Sequence, residues 1–449
     1  MLRLRLGLSV KPIPYFPFSQ SYPQPQSTMN SEQHDINKTV DHLFRHEAGK
    51  MVAVLTRLFG FSNIGQAEDI VQDTMLRAME TWKFGKIPDN PQAWLYFTAK
   101  NKAIDLIRRQ QVKYKIDNDL SYLLKSEYTL SPAVQELFTE NEIRDSQLRM
   151  MFACCHPSLS KEAQITLMLN TLCGLSVREI ADAFLTKDDT IQKRLFRTKE
   201  KLRTENISLD YPGADVLQNR IEAVLKSLYL LFNEGYHSSH PQKLIREDLC
   251  EEAMRLTILL TENATTNLPQ TNALLALMCF HVSRFNARMD DKGFIVLLKD
   301  QDRSQWNQFL IQRGNEYMSR SARGVTMHAF HIEAAIASTH ANAKSYAETN
   351  WTLILDLYDM LLQISYNPVA ALNRCLVIGE TKGPDMAIQE LGKMCELQEN
   401  CHYNTSLGEM YFKQGNKKTA RSFFEKALTQ TSSNAEKKLI EKKIEMCVM

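Results

Sequence analysis

The sequence predicts an all-α protein of more than one domain, and three observations carry that expectation. Glycine (16) and proline (14) are scarce in 449 residues, and five of the prolines precede residue 26, so the remainder is permissive for helix. Apolar residues recur at three- and four-residue spacing through most of the chain, as helices buried along one face require. Capping residues and glycines stand where those stripes begin and end. The length exceeds one ordinary domain, and 44% hydrophobic with 24% charged residues supplies material for more than one core.

Composition also sets aside several classes. Lys plus Arg (54) nearly balances Asp plus Glu (52), so the net charge of +2 names no partner and any basic surface must be local. No continuous apolar run approaches the roughly 18 residues of a membrane-spanning helix, so no membrane partner is expected. The nine cysteines are odd in number and scattered, with no CxxC pair. That usage fits apolar core thiols in a reducing, cytoplasmic compartment and neither a disulfide framework nor a zinc finger. No Walker-type loop, HExxH, GxSxG or GxGxxG occurs, so no catalytic residue, cofactor or metal is expected.

Residues 1 to 34 are expected to form a disordered tail. Arg3, Arg5 and Lys11 stand without an acid, followed by Pro12, Pro14, Pro17, Pro23 and Pro25. The Leu/Arg alternation lacks the apolar stretch and cleavage site of a secretory signal. A second reading stays open, in which translation starts at Met29. Residues 35 to 112 form the first helical unit. Val52, Leu55, Leu58 and Phe59 make one stripe that stops at Gly60, Ile70, Met75, Met79 and Trp82 a second ending near Gly85, and Trp94, Phe97, Ala103, Ile104 and Ile107 a third after the turn at Pro88 and Pro91. Lys100, Lys102, Arg108, Arg109, Lys113 and Lys115, against Asp105 alone, make a basic patch.

Residues 113 to 145 are mixed and polar, broken at Ser131-Pro132, and read as a linker. The unit at 146 to 206 opens with a helix over Glu162 to Leu172 that Gly174 suits as a C-terminal cap. Ser176 and Glu179 have the spacing of a capping box on a short second helix. A third helix buries Ile191, Leu195 and Leu202, with Asp188 and Asp189 at its start and Lys199, Lys201 and Arg203 at its end, in line with the helix dipole. This is the grammar of a helix-turn-helix. Lys193, Arg194, Arg197, Lys199, Lys201 and Arg203 flank the buried stripe against Glu200 alone, leaving one face for a DNA groove; a solvated surface helix is the alternative.

The second half reads as a helical domain at 207 to 330 and a repeat-like one at 331 to 449. Leu407-Gly408, Tyr411, Gly415, Ala420, Phe424 and Ala427 follow tetratricopeptide spacing, with Asn404 in place of the usual Trp and the terminal Pro missing. Ala387 and Leu391, after Gly383-Pro384, form a degenerate copy thirty-three residues earlier. Asp290, Asp291, Asp300 and Asp302 lack the order of a calcium loop and read as surface salt bridging with Arg288, Lys299 and Arg303. Cys154, Cys155 and His156 read as core and a helix start. His237 and His240 are the remaining pair with metal-ligand chemistry.

The segments Ala67-Glu68-Asp69-Ile70-Val71-Gln72-Asp73-Thr74-Met75 and Pro91-Gln92-Ala93-Trp94 through Ile107-Arg108-Arg109 resemble region 2 of the extracytoplasmic-function (ECF) sigma factors. The helix-turn-helix resembles their region 4. Phe152 to Pro157, Tyr229 to Tyr236, Ala287 to Asp291 and Val296 to Arg303 resemble the subgroup that carries a C-terminal tetratricopeptide-like extension. The resemblance implies a factor that binds core RNA polymerase and directs it to promoter DNA, region 2 opening the −10 element and region 4 reading the −35 element. It implies polymerase docking by Asp69, Gln72 and Asp73, and promoter contact by Lys100, Asn101, Arg108 and Arg109. On the region 4 helix, Thr190, Gln192, Lys193, Arg194 and Arg197 lie near the end that enters the groove. Gln192 and Arg194 can offer base-edge contacts, and Lys193, Arg197 and Lys199 phosphate contacts. Trp94 reads as a core aromatic in preference to a base-stacking one. The extension is expected to regulate the sigma regions in cis and to take a protein or peptide partner at its repeats. The competing reading is a helix-turn-helix regulator with a helical sensing domain, for which a polymerase-docking helix has no use.

Overall fold

The computed structural model describes residues 30–82, 87–110, 127–184, 186–205, 207, 209, 214–237, 245–290, 294–324, 326–431 and 433–448. The linker residues 113–126, Lys113 and Lys115 among them, His240 and Asp291 lie outside these. The chain divides into two units, Met1–Leu43 and Phe44–Met449. The described part of the first is the opening of helix α1.

Three helices, α1 (Asn30–Phe59), α2 (Ile64–Trp82) and α3 (Pro91–Gln110), build the first module. Helix α1 therefore begins inside the expected tail. It ends where Gly60 takes φ +83°, a conformation that only glycine adopts without strain. Val52, Leu55, Leu58 and Phe59 of α1 are buried, as are Ile70, Val71, Ala78 and Trp82 of α2 and Leu95, Ala99, Ala103 and Ile104 of α3. Trp94 packs edge-on against Trp82, with ring centroids 5.4 Å apart, as expected of a core aromatic. Met79 and Phe97 leave the buried stripes assigned to them: they are 53% and 59% exposed. Close helix packing selects the small residues Thr74, Ala78 and Ala99 instead, and size alone misleads a periodicity reading.

The second half of the expected linker is helical. Helix α4 (Glu127–Leu137) runs through Pro132, and α5 (Glu140–Cys154) starts before the expected boundary at 146. Pro132 forfeits one backbone hydrogen bond. Burial of Leu130, Ala133, Val134 and Leu137 between α3 and α5 offsets that loss. Helices α6 (Lys161–Thr171), α7 (Val177–Ala183) and α8 (Asp188–Glu205) follow as the helix-turn-helix. Ser160 caps α6, Gly174 takes φ +63° after it, and the capping box of α7 forms as read: Ser176 N–H donates to Glu179 Oε2 at 2.9 Å and Glu179 N–H to Ser176 Oγ at 3.2 Å.

The next layer comprises α9 (Ala214–Tyr236), α10 (Glu247–Glu262), α11 (Pro269–Val282), α12 (Phe285–Arg288), α13 (Gln308–Ser321) and α14 (Ala329–Asn342). Helix α11 is buried on nearly every side and serves as the axis on which α9, α10, α13 and α14 pack. Among the described residues, Arg288 and Arg303 do not bridge the neighbouring acids. Arg288 lies 3.8 Å over the Tyr236 ring and donates to the Tyr236 carbonyl, and Arg303 donates to the carbonyls of His340 and Ala343 at 2.6 Å. Orphan carbonyls at helix ends attract these guanidinium groups inward.

Helices α15 (Trp351–Ile364), α16 (Pro368–Thr381), α17 (Pro384–Leu391), α18 (Cys401–Lys413), α19 (Lys417–Gln430) and α20 (Asn434–Val448) complete the chain, each packed on the next. Gly408 lets α18 approach α19 so closely that an added Cβ would stand 2.5 Å from the Phe424 ring. Ala387, Leu391, Ala420, Phe424 and Ala427 are buried, as the repeat spacing requires. The boundary expected at 330/331 is not a break. Helix α14 packs on α11 and α13 while Ile332 and Ile336 join the core of the following helices. Among the described residues there is no strand, only an isolated antiparallel bridge between Met289 and Ile295.

Candidate nucleic-acid interface

Three helix faces carry the residues singled out in the sequence. On α2, Asp69, Gln72 and Asp73 are all exposed and form one ridge. Leu76 and Met79, 57% and 53% exposed, continue that ridge at helical spacing. Exposed apolar groups beside acids suit a protein partner better than solvent. Asp73 also receives Lys102 of α3 at 3.3 Å.

On α3, Lys100 sits 5.5 Å over the exposed Phe97 ring, Asn101 is half-buried beside it, and Arg108 and Arg109 are exposed in the last turn. An exposed aromatic ring next to cations and an amide is the chemistry that holds unpaired bases and their phosphates. Phe97 presents the exposed ring on this face, whereas Trp94 is half-buried against Trp82.

On α8, Ile191, Leu195, Thr198 and Leu202 face inward, and Thr190, Gln192, Lys193 and Arg197 face outward. Phe196 stands among them at 67% exposure. Thr190, Lys193, Arg194 and Arg197 line a groove with Ser158 and Ser160. Arg194 is half-buried and donates from Nη1 to Thr166 Oγ1 at 3.2 Å. Lys199 is turned away from the groove: its ammonium meets Glu68 of α2 at 2.5 Å. Sequence reasoning missed Leu76, Met79 and Phe196. Leu76 and Phe196 carry one signal, an apolar side chain three residues after an exposed charge (Asp73, Lys193) and off the core stripes, whereas Met79 fits the stripe read for α2 and carries none.

The α1–α3 module and the helix-turn-helix are tied to each other and to the following layer. Arg45 of α1 donates to Glu179 of α7 at 2.6 Å and pairs with Asp248 of α10. Arg246 completes the cluster, 3.1 Å from Asp248 and 3.4 Å from Glu179. Burial pushes the Glu179 carboxyl up, but the Ser176 N–H and the Arg45 guanidinium outweigh it and hold the pKa below the ordinary value. One turn on, Gly49 touches the chain at Leu172, where an added Cβ would lie 1.9 Å from the carbonyl oxygen. Arg57 reaches Glu142 at 2.7 Å and Asp145 at 3.1 Å. From α10, Arg255 donates to Gln147 at 3.2 Å and Glu262 receives Arg144 at 3.0 Å, both on α5.

Comparison with known proteins accords with this architecture. Residues 43–112 match the family model described as Sigma-70 region 2, residues 149–202 that described as Sigma-70, region 4, and residues 220–322 that described as Family of unknown function (DUF6596). "Uncharacterized protein R00370" of Rhizobium meliloti is 33% identical over 379 residues, 84% of this chain and 88% of that protein. The ECF RNA polymerase sigma factor SigE of Mycolicibacterium smegmatis is 27% identical over 164 residues, 36% of this chain and 60% of that protein. The ECF RNA polymerase sigma-E factor of Haemophilus influenzae is 24% identical over 182 residues, 40% of this chain and 94% of that protein. A three-helix module followed by a helix-turn-helix, each matched in its own right, defines a sigma-type protein. The chain belongs to the ECF RNA polymerase sigma factors, in the subgroup that carries a C-terminal helical extension.

Proposed function

We propose that this sigma factor docks on core RNA polymerase through the α2 ridge of Asp69, Gln72 and Asp73, extended by Leu76 and Met79, and that the C-terminal extension governs that event in cis. Lys100, Asn101, Arg108 and Arg109, with Phe97, then hold the opened −10 element. Thr190, Gln192, Lys193, Arg194 and Arg197 read the −35 element, and the tetratricopeptide-like helices take a protein or peptide partner. The observation that carries the cis reading is the four-residue charge cluster of Arg45, Glu179, Arg246 and Asp248, in which the extension's α10 clamps region 4 to region 2. Two elements set apart along a duplex need two modules free to separate, and this cluster opposes separation.

The experiment compares the full chain with two variants in co-elution with core RNA polymerase and in promoter transcription. Replacing Asp69, Gln72 and Asp73 by Ala abolishes co-elution if the ridge docks. The pair Arg246→Gln and Asp248→Asn, which lies wholly in the extension, raises polymerase affinity and transcription if the clamp restrains. Unchanged output from the second variant refutes the restraint and leaves the docking assignment standing.

A further inference from the structure

Three side chains from separate parts of the extension converge. His237 follows the end of α9, His402 lies in the first turn of α18 and Glu436 in the first turn of α20. Their ligating atoms all lie within 4.8 Å of one another. The two imidazoles address the same oxygen: His237 Nε2 is 3.2 Å and His402 Nε2 3.9 Å from Glu436 Oε1. The rings meet edge-on with centroids 5.9 Å apart.

The carboxylate is oriented from behind. Thr431 Oγ1 donates to Glu436 Oε2 at 2.5 Å, and the same hydroxyl oxygen accepts the Ser433 N–H at 3.1 Å. Such an outer hydrogen bond is the usual support of a metal-ligating carboxylate. Both histidines are exposed, which leaves an entry path.

We propose that His237, His402 and Glu436 form a site for a divalent transition metal of the zinc type, with a fourth position open to water. Two imidazole nitrogens and one carboxylate oxygen are a borderline donor set that suits Zn²⁺ or Co²⁺ and not the all-oxygen preference of Mg²⁺ or Ca²⁺. Donors on a tetrahedral ion with bonds of about 2.0–2.2 Å stand roughly 3.3–3.5 Å apart. With ligating atoms within 4.8 Å of one another, the trio needs only a small closure to reach that spacing, and both imidazoles are exposed. An ion there staples α9, which packs on α5 and α6 of region 4, to the last helices of the chain. The site is independent of the polymerase-docking reading.

The test uses the purified full chain, stripped with chelator and titrated with Co²⁺ and then Zn²⁺. One Co²⁺ per chain binds with the visible absorption of a four-coordinate ion, Zn²⁺ displaces it stoichiometrically, and excess Zn²⁺ raises Tm while Mg²⁺ does not. His402→Ala, at an exposed position that folding tolerates, and Glu436→Gln each weaken binding beyond the roughly 10- to 100-fold that loss of an outer partner costs, and Thr431→Val falls within that range. Cys401→Ser leaves affinity unchanged. Equal Co²⁺ affinity in wild type and His402→Ala, or no Co²⁺ spectrum at micromolar protein, overturns the proposal and makes the trio a hydrogen-bonded surface cluster.

Discussion

Glu179 performs two tasks with one carboxylate, and separate substitutions divide them. As the third residue of the capping box it accepts the Ser176 N–H, and as an anion it holds Arg45 at 2.6 Å and Arg246 at 3.4 Å. A capping interaction contributes about 0.5–2 kcal/mol. Each partly exposed ion pair contributes roughly 0.2–1 kcal/mol, and both arginines keep Asp248 when Glu179 is lost. Glu179→Gln keeps an amide oxygen for the cap and removes only the charge, so it costs about 0.5–1 kcal/mol. Glu179→Ala removes both and costs about 1–3 kcal/mol. The assay is thermal and urea denaturation of the full chain and both variants at low and high salt. At about 1 M salt the Debye length shrinks to roughly 3 Å, so the Gln deficit fades while the Ala-to-Gln gap of about 1 kcal/mol persists. A Gln variant as damaged as the Ala variant, or a Gln deficit indifferent to salt, refutes the division. Adding Asp248→Asn to Glu179→Gln gives a non-additive loss, because the two carboxylates share the same arginines.

Gly49→Ala drives a Cβ into the Leu172 carbonyl, which backbone cannot yield, and costs about 1–3 kcal/mol; Tm falls with helix content unchanged, and hydrogen exchange quickens at the end of α6. Glu47 is buried with Lys50 at 2.9 Å and Tyr96 at 2.5 Å, and although burial raises its carboxyl, hydrogen bonds with His46 and Tyr96 and the Lys50 charge lower the pKa from 4.5 to about 2. Its stabilisation is therefore complete above pH 4.5 and lost as pH falls from there through about 2; a Tm-against-pH profile shows that limb, and Glu47→Gln flattens it. Arg197→Ala weakens binding to promoter and unrelated duplex alike and reduces the slope of log K against log salt by about one unit, measured by fluorescence anisotropy; an unchanged slope removes Arg197 from the phosphate contacts.

What was legible in the sequence was local. The caps at Gly60 and Gly174 and the Ser176/Glu179 box are written within a few residues of where they act, and each forms as read. Asp69, Gln72 and Asp73, singled out by the resemblance, and Gln192, Lys193 and Arg197, which flank the buried stripe of α8, are all exposed. Helix α4 escaped because a short helix carrying Pro132 among polar residues has the local signature of a loop. The role of Arg45 was invisible because its partners lie 134 and 203 positions away. The same holds for His237: the nearby His240 drew attention, whereas the side chains that meet it come from α18 and α20.

The contacts also bear on what kind of control the extension exerts under the proposed reading. Those described between α9 or α10 and region 4 fall on α5, α6 and α7, while Gln192, Lys193, Phe196 and Arg197 on the front of α8 stay exposed. Control then acts on where region 4 is held and not on access to its reading face. Partly exposed ion pairs such as these sum to about 2–3 kcal/mol. At tenfold per 1.4 kcal/mol, a clamp of that size lowers apparent polymerase affinity by roughly 30- to 150-fold. A partner bound with nanomolar affinity supplies about 12 kcal/mol, well above the cost of such a clamp. A clamp so sized grades the response to polymerase concentration and salt. Binding to a duplex carrying only the −35 element should not respond to it, because that duplex asks nothing of region 2.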